Sequence, residues 1–204
     1  MGRFFAFILP LLLSHTLAFA ASRPLPKACP PHYVVDLLGV LPADSLQVLN
    51  DSLHHYHATT GNRIVVVLTD TLQTSGMGKW PARQLLRKWL PTDSKAVMLL
   101  IMHTAPNTRS KVSIAAGKAL EAKFPPLFAK HLGTDKVAGS IYDGHSHYYA
   151  ITRALPYLKG AISGTFSAEK YEFERKGKKW IWFLAAGTLL LLIATLWPTG
   201  KKVS

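Results

Sequence analysis

Four carboxylates stand where an α/β chain gathers its chemistry. Asp36 follows a short apolar run, Asp70 closes a second, Asp93 precedes a third and Glu121 comes after a fourth. Loops at strand ends are where ligands collect in such sheets, and carboxylate oxygens suit Ca²⁺ or Mg²⁺. Asp36, Asp93 and Glu121 are therefore the candidate metal ligands. Their alternative is ordinary surface carboxylate, because the chain has only 11 acidic residues against 24 Lys and Arg. The histidines offer a second chemistry. His54, His55 and His57 fall on the polar side of one helical stretch, and His145 and His147 are one residue apart. Imidazoles of this kind could hold a transition metal or simply face water. The signatures of common enzymes are missing. No G-x-x-x-x-G-K-S/T or G-x-G-x-x-G follows a strand, no G-x-S-x-G elbow occurs, and no His-x-x-x-His is present. No catalytic residue is assigned.

The elements that must position these groups are legible from periodicity. His32 to Leu38 reads as an edge strand or extended segment. Pro42 and Asp44 open a helix whose stripe is Leu46, Leu49, Leu53 and Tyr56, ended by Gly61. Arg63 to Thr69 and Ala96 to Met102 are continuous apolar runs, expected as strands covered on both faces. Thr71 to Gly78 reads as a loop. A helix over Trp80 to Leu90 turns Leu85, Leu86 and Trp89 inward. Lys111 to Ala115 alternates as a hairpin strand. Helical chain follows Gly117, is broken at Pro125-Pro126, and ends in a long helix around His147 to Lys159. The expected fold is α/β: a single three-layer α/β/α sandwich with a mixed sheet of about four strands.

Charge and hydropathy describe the rest of the chain. The 204 residues carry a net +13, which invites a nucleic-acid partner. Only +6 belongs to residues 21–174; Arg3 adds one, Arg175 to Lys179 add four, and Lys201 and Lys202 add two. Six of the charges thus border one apolar stretch, Trp180 to Trp197, which holds no charge and is long enough for the hydrocarbon core. Its terminal tryptophans and flanking lysines suit the interface. The first 20 residues read as a signal peptide with an Ala18-Phe19-Ala20 cleavage pattern. The predicted organisation is signal peptide 1–20, proline-rich lead-in 21–31, α/β domain 32–160, polar and basic tether 161–179, transmembrane helix 180–197 and short cytoplasmic tail 198–204. This places a single-pass protein in the inner (plasma) membrane, its domain on the periplasmic or extracytoplasmic side. Its C-terminal helix would touch membrane lipid, and no nucleic-acid partner is expected. One cysteine, Cys29, excludes a disulfide framework.

The order of these motifs resembles the TPM domain family over about residues 32–158. Val34 to Leu41 resembles its opening motif of Asp, two residues, then Val-Leu before the first helix. Thr60 to Val67 resembles its Thr-Gly turn and strand, and Trp89 followed by Ala96 to Ile101 its next helix and strand. Lys111 to Glu121 resembles the strand leading into a Gly-x-Gly-Leu-Glu turn, with Gly117, Leu120 and Glu121 matching and Ala119 in place of the second glycine. The resemblance implies a domain of the thylakoid-lumen phosphatase-like and photosystem II repair-like kind. Some of its members bind Ca²⁺ or hydrolyse phosphate esters through acidic loops. Here those loops are thinned. Pro126 stands near a common Asp, and the hairpin turn Asn107 to Lys111 lacks its acid. The expectation is a membrane-anchored, exported, non-enzymatic factor for the assembly or maintenance of a membrane-protein partner. The alternative is a divalent-metal-dependent phosphatase-like hydrolase using Ca²⁺ or Mg²⁺.

Overall fold

The structure, a computed structural model, describes residues 24–70, 72–78, 81–103, 110–175, 177 and 186–190. Its centre is a four-stranded mixed sheet in the order β1 (Val34–Asp36), β2 (Arg63–Asp70), β3 (Ala96–His103), β4 (Lys111–Ala116). The first three strands are parallel and β4 runs antiparallel to β3. The expected α/β class with a mixed sheet of four strands is what forms.

Helix α1 (Ala43–Thr60) connects β1 to β2, and α2 (Pro81–Trp89) connects β2 to β3. Alternation along β2 and β3 sends Ile64, Val66, Leu68, Val97, Leu99 and Ile101 to one face, where Leu49 and Leu53 of α1 pack. Val65, Val67, Met98 and Leu100 face the other side, against Leu85, Leu86 and Trp89 of α2. Both faces are covered, so neither strand has a polar side, as their unbroken apolar runs predict. The two crossovers advance the sheet in the same direction yet place their helices on opposite faces. They must therefore differ in hand, and one of them is the uncommon left-handed kind.

Glycine at 61 ends α1 in the left-handed conformation (φ 67°), its N–H donating to the His57 carbonyl. The segment expected as a loop before α2 is a 3₁₀ turn, Leu72–Met77. Beyond β4, a second 3₁₀ turn (Lys118–Lys123) leads into helix α3 (Pro126–Leu132). Its axis continues through a π-helical turn (Gly133–Ala138) into α4 (Gly139–Tyr142). The last long helix, α5 (His147–Ser163), is capped by Ser146, whose hydroxyl accepts the Tyr149 N–H.

The stretch read as a polar tether is more ordered than its composition suggests. Residues 168–175 are helical, and Tyr171 is only 3% exposed in the main core. Its ring meets Phe128, Tyr157 and Phe166 edge-on at centroid distances of 5.4, 5.6 and 6.1 Å. His131 and Glu172 pair beside it, and Arg175 reaches Asp135 at 3.7 Å. The lead-in is also fastened: Trp89 Nε1 donates to the Pro26 carbonyl at 3.0 Å. The predicted signal peptide lies outside the described residues. So does most of the predicted transmembrane stretch, of which 186–190 are helical and exposed. Among the described residues no helix is long and apolar enough to cross a membrane.

Candidate functional site

The three acids named as metal ligands do not meet. Asp36 ends β1, whereas Asp93 precedes β3 and Glu121 follows the antiparallel β4. Parallel pairing of β1, β2 and β3 puts Asp36 at the carboxyl end of the sheet and the other two at the amino end. The eight residues of β3 separate the ends by roughly 20–25 Å, while one ion needs all its oxygens within about 2.6 Å. Each acid also has other work. Asp36 Oδ1 accepts the N–H groups of Leu38 and Gly39 at 3.1 and 2.9 Å, and Oδ2 accepts that of Leu41 at 2.8 Å. That carboxylate shapes the turn between β1 and α1, in which Gly39 takes φ 66°. Asp93 Oδ1 accepts the Lys95 N–H, and Glu121 pairs with Arg83 of α2. Among the described residues no group of three or more His, Cys, Asp or Glu is placed to hold a metal ion.

A different set gathers at the carboxyl end. The parity that puts Val34, Leu68 and Ile101 on one face carries on to Asp36, Asp70 and His103. His147, at the start of α5, comes over the same edge, its ring centroid 6.1 Å from that of His103. Nδ1 of His103 and Nε2 of His147 are buried with no hydrogen-bond partner among the described residues. Burial holds the His147 pKa below its ordinary value, His103 adds to this, and Asp36 opposes it. The sequence reading passed over His103. Its signal was position: it is two residues past Ile101, on the same face as Asp36. Of the other histidines, His57 Nδ1 pairs with the Tyr33 hydroxyl at 2.8 Å, tying α1 to the start of β1.

The His147 shift has a consequence for stability. A histidine depressed in the folded chain contributes fully above its unfolded pKa, near 6.5, and that contribution is lost as the pH falls through the folded value. Thermal melts between pH 7.5 and 5 should therefore decline more steeply for the wild-type chain than for His147→Gln. Parallel profiles would show that His147 is not the group responsible.

A wide concave surface lies elsewhere, along β4. A groove of about 1060 Å³ runs the length of the strand, with all six β4 residues on its floor. Pro81 and Arg83 of α2 form one wall, and Leu127, Lys130 and Thr134 belong to the other. The second wall is pressed close: a Cβ on Gly133 would lie 3.0 Å from Val112 Cγ1. Leu127 is 56% exposed, an apolar side chain left open beside the strand.

The stretch that folds into these elements has known relatives. The profile of the TPM domain matches residues 34–159, from the first strand through most of α5. The chain belongs to the TPM domain family. A solution NMR structure of the N-terminal domain of a protein from P. gingivalis superposes with a TM-score of 0.52 at 17% identity. That match covers 66% of this chain and 84% of the other. A second, the N-terminal domain of the cg2496 protein from Corynebacterium glutamicum, gives 0.45 at 14% identity over 72% of this chain and 88% of that one. At 17% identity the first likeness concerns the fold alone. No curated protein matches the sequence.

Within this TPM domain the Gly-x-Gly-Leu-Glu-like turn closes despite Ala119. The Gly117 N–H donates to the Ala96 carbonyl at 2.7 Å and the Ala119 N–H to Ser94 at 3.1 Å, while Leu120 is buried. Glu121, the acid of that motif, points at Arg83 on the groove wall. In this TPM domain the acid of the motif therefore serves an ion pair at the wall of the β4 groove.

Proposed function

We propose that this TPM domain is a binding module that assists the assembly or maintenance of a membrane-protein partner. It is held at the inner (plasma) membrane by residues 180–197, with the domain on the extracytoplasmic side. The observation that carries the reading is the contrast between its two kinds of surface. The acids that would support hydrolysis stand at opposite ends of the sheet, whereas a continuous, mainly apolar groove lies open along β4. A divalent cation needs several oxygens together to offset its desolvation; a protein ligand needs a long surface with apolar anchors. The uncharged stretch Trp180 to Trp197, with cations on both sides, supports the anchored topology.

The test is purification of the full chain from membranes in mild detergent. It should bring down the same membrane protein reproducibly, and an assay on a generic phosphate ester with Ca²⁺, Mg²⁺ or Mn²⁺ should give no turnover. Metal-dependent turnover abolished by Asp36→Asn would overturn the reading in favour of the hydrolase.

A further inference from the structure

The groove contains a sheet edge whose open hydrogen-bonding positions can be assigned residue by residue. Among the described residues, β4 is the last strand of the sheet and pairs with β3 alone. In an antiparallel ladder, opposed residues alternate between pairs that exchange both backbone bonds and pairs that exchange none. The Gly117 N–H donates to the Ala96 carbonyl, which sets the phase. With Val97 opposite Ala116, the bonded pairs are Met98 with Ala115, Leu100 with Ser113 and Met102 with Lys111. The backbone N–H and C=O groups of Val112, Ile114 and Ala116 therefore point away from β3, into the groove.

We propose that this edge binds its partner by strand addition. An extended segment of another protein, carrying acidic side chains, lies along β4 and bonds to Val112, Ile114 and Ala116. The proposal rests on the binding-module reading and specifies its ligand. Three observations select this occupant. The edge is recessed, with α2 on one side and α3 and the π-helical turn on the other. A single extended chain enters such a slot, whereas a second copy would have to bring its own flanking helices into the same space. The mixture of bare backbone and apolar wall suits strand addition, where main-chain bonds supply affinity and alternate side chains supply specificity. The charge of the described lining is Arg83, Lys111 and Lys130 against Glu121, and Glu121 is already paired with Arg83. The remaining lysines favour carboxylates on the incoming segment.

The experiment is amide hydrogen exchange on the full-length chain in detergent, with an octapeptide alternating valine and glutamate as the probe. In the free chain, Ser113 and Ala115 should exchange at least about tenfold more slowly than Val112, Ile114 and Ala116. The peptide should slow those three by about tenfold or more, and its lysine-for-glutamate counterpart should not. Ala116→Pro removes a groove-facing N–H without touching the ladder to β3. It should weaken peptide binding several-fold while leaving Ser113 and Ala115 protected. Peptide that leaves Val112, Ile114 and Ala116 unchanged overturns strand addition, and if a membrane partner still co-purifies, the binding-module reading survives alone. Equal binding of the lysine peptide overturns the acidic preference. Protection that grows with protein concentration in the absence of peptide overturns the chosen occupant in favour of a second copy.

Discussion

Gly117→Ala should cost about 3 kcal/mol of folding stability, at the upper end for forcing an atom into a packed site. A Cβ there would stand 2.5 Å from the Ser94 carbonyl oxygen and 2.8 Å from that of Asp93. Both neighbours are backbone, so neither can rotate aside. The loop carrying them is pinned on this side by the Gly117 and Ala119 N–H groups, which bond to Ala96 and Ser94. Conformation is not the reason, because Gly117 has φ −68°, which alanine adopts freely. Gly61→Ala separates the two effects. Its Cβ would meet nothing within 4 Å, but its φ is 67°, so about 1 kcal/mol is expected from backbone conformation alone. Urea unfolding of both variants should show the larger drop in midpoint for Gly117→Ala; the reverse order would mean that the turn yields.

Tyr171→Ala should have a comparable effect, of about 3 kcal/mol, with a different signature. The side chain is nearly fully buried among Phe128, Tyr157 and Phe166, and each edge-to-face pair adds to the burial term. Burial also raises its phenol pKa well above the usual tyrosine range, with Asp135 adding to the rise, so the group stays protonated at ordinary pH. Loss of the ring removes the main apolar tie of segment 168–175 to α3 and α5. Limited proteolysis under native conditions should then cut between residues 164 and 175 while the β2 and β3 core stays folded. Tyr171→Phe should resist, since the hydroxyl makes only long contacts of 3.4 and 3.5 Å. Equal cleavage of wild type and Tyr171→Ala would show that other contacts hold the segment.

The elements were readable from sequence wherever one physical signal dominated. β2 and β3 announce themselves as β-branched and apolar runs because both faces are buried, and α1 is bounded by Pro42 and Gly61 for reasons of backbone conformation alone. The site was read less well, because strand ends look alike until direction is assigned. Asp36 comes after a parallel strand, Asp93 before one, and Glu121 after an antiparallel one; only the first reaches the carboxyl edge. His103 was lost among nine histidines, although its parity with Asp36 and Asp70 marks its face. Residues 161–175 misled through composition. Their charges hide Phe166 and Tyr171, two aromatics that a loose tether would not need. The open edge of β4 follows from its being the last strand in the order, which pairing rather than composition decides.

The opposite hands of the two crossovers have a consequence for where small ligands could enter. In doubly wound sheets a crevice opens where the chains leaving two neighbouring strands diverge to opposite faces, and with right-handed crossovers this requires the strand order to reverse. Here the order runs from β1 to β4 without reversal. Even so, the chain leaving β1 turns toward the α1 face and the chain leaving β2 toward the α2 face. The divergence falls between the carboxyl ends of β1 and β2, beside Asp36 and on the edge shared with His103 and His147. A change of winding sense thus does the work of a change of strand order, and a search for pockets guided by strand order alone would pass this position by.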